Sequence, residues 1–196
     1  LVSLFGRVMY NYAGRYMMSA SVRRDGSSRF ADGHRYGWFP SISAAWNIAR
    51  ESFFENWTET MNNFKVRASY GVLGNQEIGN YRTQAGLVTG MNYILGTGSW
   101  QGAITNASWV SPQNLTWEKS KTWDIGADLG FFNDKLSVTA DYYVKRTEDI
   151  LLSINMAGNG GLKGSPTMNA GTVENKGFEI AITHRNTVGD VYYFVG

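Results

Sequence analysis

From Phe178 the chain alternates residue by residue: Phe178, Ile180 and Ile182 point one way, while Glu179, Ala181 and Thr183 point the other. A period of two marks a strand with one apolar and one polar face. The pattern recurs along the whole chain. Leu4, Gly6, Val8, Tyr10 and Tyr12 oppose Phe5, Arg7, Met9 and Asn11 in a first strand that closes in a turn at 13–15. Tyr16, Met18, Ala20 and Val22 mark the second strand. Trp38, Ile42, Ala44, Trp46 and Ile48 mark the third, with Pro40 on the same face. Proline removes a ladder hydrogen bond, so Pro40 is expected near a strand end or bulge. Phe64, Val66, Ala68, Tyr70 and Val72 form the fourth strand; Trp117, then Trp123, Ile125, Ala127 and Leu129 form the fifth. Leu136, Val138, Ala140, Tyr142 and Val144 follow in the sixth. The seventh begins at Phe178, after a loop end and turn from Asn169, and the eighth after a turn at 186–190.

The connections read short, long, medium, very long, short, long, short. The medium one, 49–62, does not alternate and is read as a connection with one helical turn. In an up-and-down sheet every second connection lies at the same end, so the long loops gather at one end and the shorter turns at the other. Strands of this kind, with sorted loops and aromatics at the ends of their apolar faces, are what a transmembrane β-barrel requires. Tyr12, Tyr16, Trp38, Trp46, Phe64, Tyr70, Trp123, Tyr142 and Phe178 would supply the interfacial girdles. The fold class expected is therefore all-β, an antiparallel up-and-down transmembrane barrel with about eight strands in this chain; the resemblance given below implies that they are part of a larger barrel.

Composition agrees: 23 Gly, 3 Pro, and 7 Trp, 11 Tyr and 10 Phe among 196 residues form a β profile. No run of about 18 apolar residues is present, which excludes a transmembrane helix but not a barrel. A net charge of +2 from interspersed residues leaves no footprint for nucleic acid, and the absence of cysteine excludes disulfides and thiolate metal sites. The chain starts without an initiator methionine and ends in the apparently interrupted strand 191–196, so it is expected to be a segment of something longer.

Candidate chemistry is sparse. The Gly-rich run from Gly158 to Gly164 lacks the Lys-Ser/Thr and helix of a phosphate loop, since Lys163 is followed by Gly164; it reads as an external loop. His34 and His184 have no third ligand at metal spacing, and no metal or other cofactor is expected. Asp124, Asp128 and Asp141 fall on the non-lipid faces of two strands joined by a tight turn. A carboxylate pair there invites a glycosidase reading. Arg7, Arg23, Lys65, Arg67 and Lys145 share that face, so charge pairing on a polar lumen wall is the stronger reading, with no catalytic residue assigned. Tyr93, Trp100 and Trp109 in the longest loop are candidates for contact with a substrate or partner, or for folding that loop on itself.

Five blocks also carry a family resemblance: Asp25–Phe30, Arg35–Ser41, Val66–Asn75, Leu115–Gly126 and Asn169–Glu179. In this order they resemble the SusC/RagA-like TonB-dependent transporters of Bacteroidetes. The resemblance implies a 22-stranded type of barrel in the outer membrane of a Gram-negative bacterium, a plug domain, and a SusD-like surface lipoprotein. It also implies import of oligosaccharides or peptides driven by the TonB complex. All of 1–196 would be barrel wall, with the plug and TonB box outside it and two sheet edges left unpaired. The first rival is a binding module, a closed eight-stranded adhesin or lipocalin-like barrel. The second is an outer-membrane enzyme.

Overall fold

Eight strands form one antiparallel sheet whose order in space follows the chain. They are β1 (Val2–Tyr12), β2 (Tyr16–Gly26), β3 (Tyr36–Asn47), β4 (Met61–Asn75), β7 (Glu118–Phe131), β8 (Leu136–Glu148), β11 (Thr172–Val188) and β12 (Val191–Val195). Two ribbons stand apart, β5 (Leu87–Leu95) with β6 (Ser99–Asn106), and β9 (Leu151–Ser153) with β10 (Thr167–Asn169). This computed structural model describes residues 1–80, 83, 87–95, 99–106, 114–154 and 166–196, with the backbone alone for 87–106.

The sheet is open. Among the described residues β1 pairs with β2 alone and β12 with β11 alone, whereas a closed eight-stranded barrel needs a β1–β12 ladder as well. The expected rival of a small self-contained barrel is thereby overturned. The paired residues Tyr12, Tyr16, Trp46, Val66, Ala127, Ala140 and Ile180 run across one face from β1 to β11. That face stays uncovered: Trp38, Trp123, Phe178 and Ile180 are all more than half exposed. A contiguous apolar surface of this kind needs an apolar solvent, which a bilayer supplies.

Aromatics collect at the two ends of the apolar face. Tyr12 stacks on Tyr16 at 6.5 Å and Tyr16 on Trp46 at 6.3 Å near the short turns, while Tyr70 meets Trp123 at 4.4 Å toward the long loops. The turns have their own chemistry. Ala13 and Gly14 both have positive φ (53° and 65°), and Arg15 N donates to Tyr12 O, which closes the chain tightly between the paired Tyr12 and Tyr16. Gly189 (φ 60°) does the same between Val188 and Val191.

Four expectations are corrected. The seventh strand begins at Thr172, not Phe178, because Thr172–Gly177 pair with Glu148–Tyr143 of β8 although their side chains carry no apolar alternation. The fifth begins at Glu118; Trp117 precedes the ladder, so the period of two does not govern it, and its indole turns into a buried cluster. Pro40 lies inside β3, not at its end. It faces Val22 of β2, and the ladder to β4 starts only at Ser41, so β3 is locally one-sided there. The medium connection is two short 3-10 helices, Ile48–Arg50 and Ser52–Trp57, and it is longer than the 27–35 loop at the opposite end, so loop sorting by length is not strict.

That connection is anchored by Glu51, which is 9% exposed. Its carboxylate accepts from Trp46 Nε1 at 3.0 Å and lies 3.6 Å from Arg15 Nη1. The Trp46 hydrogen bond, then one from the Tyr16 hydroxyl, holds the Glu51 carboxyl below its usual range against the opposing effect of burial, and Arg15 adds to the lowering. Because the folded value is depressed, this stabilisation is present above the ordinary carboxyl pKa of 4.5 and is lost as pH falls through the lower folded value. Protection of 48–57 against hydrogen exchange, taken relative to the intrinsic rate at each pH, should fall at acid pH in the full-length protein, and in Glu51→Gln it should be low already at neutral pH.

Candidate functional site

The face opposite the lipid-type surface carries the charge. On β4, Lys65 and Arg67 stand beside β7, where Lys65 faces Asp128 and Arg67 faces Gly126; Gly126 in turn faces Asp141 of β8. Arg67 is the hub. Its Nη2 reaches Asp141 at 2.7 Å, its Nε reaches Asp128 at 3.3 Å and its Nη1 reaches Asp124 at 3.5 Å. Lys65 Nζ holds Asp128 at 3.1 Å, and Thr139 Oγ1 donates to the same carboxylate at 3.3 Å. One guanidinium serves three carboxylates because its donors are fixed in a planar fork.

Gly126 makes this reach possible. A Cβ there would sit 2.0 Å from Asp141 Oδ1 and 2.9 Å from Arg67 Cζ. The row across β4, β7 and β8 therefore reads cation, nothing, anion, so the arginine crosses an entire strand. The carboxylates of Asp124, Asp128 and Asp141 are engaged in ion pairs, which is the charge-pairing reading of these residues.

The structure thus brings together five of the eight residues expected on this face. Arg23 lies higher on it, 2.8 Å from Asp25 and 5.6 Å over the Phe39 ring. Arg7 lies over Phe5 at 5.9 Å, and Lys145 is exposed between Thr122 and Asn175. Glu179, on the polar side of the β11 alternation and opposite Asp141, joins this face beyond the eight residues expected there. Tyr93 and Trp100 lie on the β5–β6 hairpin, opposite Gln101 and Ile94 respectively. Their side chains, the whole of Trp109 and the run 158–164 lie outside the described residues. His34 and His184 join no group of metal-ligating residues among the described residues.

Above the charged wall, at the long-loop end, lies the buried core: Phe30, Phe39, Ile78, Leu115 and Trp117, with Val72 and Leu151 against it. Trp117 sits 5.2 Å from Phe30 and 5.3 Å, edge-on, from Phe39, and donates Nε1–H to Arg35 O at 3.3 Å. Room for the Phe39 ring comes from Gly37 and Gly74, where a Cβ would lie 2.5 and 2.0 Å from Cζ. Asn169 ties in the next loop. Its Oδ1 accepts from Thr116 N at 2.8 Å, and its Nδ2 donates to Thr116 O at 2.9 Å and Asp149 O at 2.8 Å. The five sequence blocks therefore meet in one collar at the loop bases. Asn169→Ala removes three hydrogen bonds and should cost about 1–3 kcal/mol locally; faster amide exchange at Thr116 and 149–153 would report it.

An open up-and-down sheet with one apolar, aromatic-edged face and one ion-paired face is a wall of a transmembrane-type β-barrel. The family described as "TonB dependent receptor-like, beta-barrel" matches residues 2–195, and the chain belongs to it. The chain is 39% identical over 186 residues to TonB-dependent receptor P3 of Formosa agariphila, covering 95% of this chain and 18% of that protein. It is 33% identical over 192 residues to TonB-dependent receptor SusC of Bacteroides thetaiotaomicron, covering 96% and 19%. Among solved structures, the RagAB peptide importer in its closed-closed state superposes with a TM-score of 0.80 at 29% identity, over 95% of this chain and 20% of that one. The siderophore receptor PirA of Pseudomonas aeruginosa shares the fold, with a TM-score of 0.58 at 16% identity. The chain spans about a fifth of the length of the curated relatives it matches.

Proposed function

We propose that this chain is barrel wall of a TonB-dependent importer in the outer membrane of a Gram-negative bacterium. It would work with a SusD-like surface lipoprotein and take up oligosaccharides or peptides. The observation that carries the reading is the pairing of an uncovered apolar face with an opposite face of cross-strand ion pairs on a sheet that matches a peptide importer. On this reading Arg7, Arg23, Lys65, Arg67, Asp124, Asp128, Asp141 and Lys145 face the lumen and a plug domain. The long loops, with Tyr93, Trp100 and Trp109, meet substrate and the lipoprotein at the rim.

The wall contributes passively: lipid holds one face, the other bounds the path, and the collar sets where the loops emerge. The full-length protein should fractionate with outer membranes and migrate faster on gels before heating than after. Solubility without detergent overturns the membrane reading. Alanine at Tyr93, Trp100 and Trp109 should lower uptake of the cargo while leaving gel migration unchanged; unaltered uptake removes these three from the path.

A further inference from the structure

Above the aromatic belt the outward face changes character. Its positions on β4, β7, β8 and β11 form registered rows. Tyr70, Trp123, Val144 and Lys176 make the first; Lys121, Arg146 and Glu174 the next; Lys119, Glu148 and Thr172 the last, while β4 at Val72 and Gly74 packs on the collar. Four cations therefore stand within two steps of Trp123, against two carboxylates. Glu148 is shared: Lys121 Nζ lies 2.5 Å from Oε2 and Arg146 Nε 3.1 Å from Oε1. Lys119 and Lys176 form no ion pair among the described residues.

These side chains cannot serve the lumen, because they share the face of Trp123 and Phe178. Lysine and arginine at the edge of a lipid-facing surface lay their stems on it and raise their charge to the level of the headgroups. The excess of cations is continuous with the apolar belt.

We propose that this cluster binds the phosphate of an anionic lipid headgroup in the leaflet at the long-loop rim, with Lys119 and Lys176 as free donors and Lys121 and Arg146 shared with Glu148. The inference rests on the membrane reading above. Its test is native mass spectrometry of the full-length protein in detergent, titrated with phosphorylated lipid A and with the same lipid dephosphorylated. The phosphorylated form should bind preferentially. Lys119→Gln with Lys176→Gln, which spares both ion pairs of Glu148, should lower its binding roughly thirtyfold, and either substitution alone roughly fivefold. Glu148→Gln removes the competing carboxylate and should raise it. Equal binding of the two lipids by a detergent-requiring barrel overturns the headgroup site and leaves the membrane reading standing; so does competition by inorganic phosphate at comparable concentration, which makes it a free-anion site. A chain soluble without detergent removes the membrane reading itself.

Discussion

Trp117→Ala should unlock the loop collar without dismantling the barrel wall. Trp117 is 4% exposed, lies between Phe30 and Phe39, and donates to the carbonyl of Arg35. Truncating a buried tryptophan costs about 3–5 kcal/mol in lost contacts and cavity. Here the cost falls on a small cluster that joins the 27–35 loop, the end of β4 and the approach to β7. Limited proteolysis of the full-length protein should find new cleavage near Phe30 and Leu115, while gel migration before heating stays that of the folded barrel. Trp117→Phe keeps ring contact but leaves the Arg35 carbonyl without its donor, so it should show a smaller effect in the same direction. Unchanged protease resistance in the alanine variant would mean that the collar is held by its backbone alone.

Arg67→Met should destabilise the wall itself. The substitution leaves Asp124 and Asp141 without a cation and Asp128 with Lys65 only, and all three carboxylates are about three-quarters or more buried. Removing one partner of a buried pair costs about 3–5 kcal/mol. Solvent on the polar face reduces the expected loss here to about 2 kcal/mol. The midpoint of urea unfolding in detergent, followed by tryptophan fluorescence, measures it. Adding Asp141→Asn to Arg67→Met should recover part of the loss, because one unpaired charge disappears, and the double-mutant cycle isolates that coupling. Arg67→Lys should recover little, since an ammonium cannot span the three acceptors. An unshifted midpoint in Arg67→Met would show the aspartates to be well solvated and the hub dispensable.

The five blocks that reveal the family also gain a physical meaning. Phe30, Phe39, Trp117 and Asn169, one from each of four blocks, form the collar, and the fifth block contributes Gly74 as the gap that admits the Phe39 ring. On the proposed reading these segments build the mount for the loops, leaving cargo contact to the residues between them. The prominent aromatics of the signature blocks are then not the place to look for specificity.

The sequence by itself determined the eight strands of the main sheet, their order and their two faces, but not the two ribbons β5–β6 and β9–β10, which lie in stretches that read as loops. Backbone pairing forces a side-chain period of two, and a face turned to lipid must be apolar, so alternation is written directly into Leu4–Tyr12, Phe64–Val72 and Phe178–Ile182. It also placed Lys65, Arg67, Asp124, Asp128 and Asp141 on one polar face. Tertiary structure alone decided which of these meet, because register across strands and the space left by Gly126 are long-range properties. It alone decided the fate of Trp117 and Thr172–Gly177. A residue outside the ladder escapes the period, and a strand that rises beyond the apolar belt has no reason to alternate.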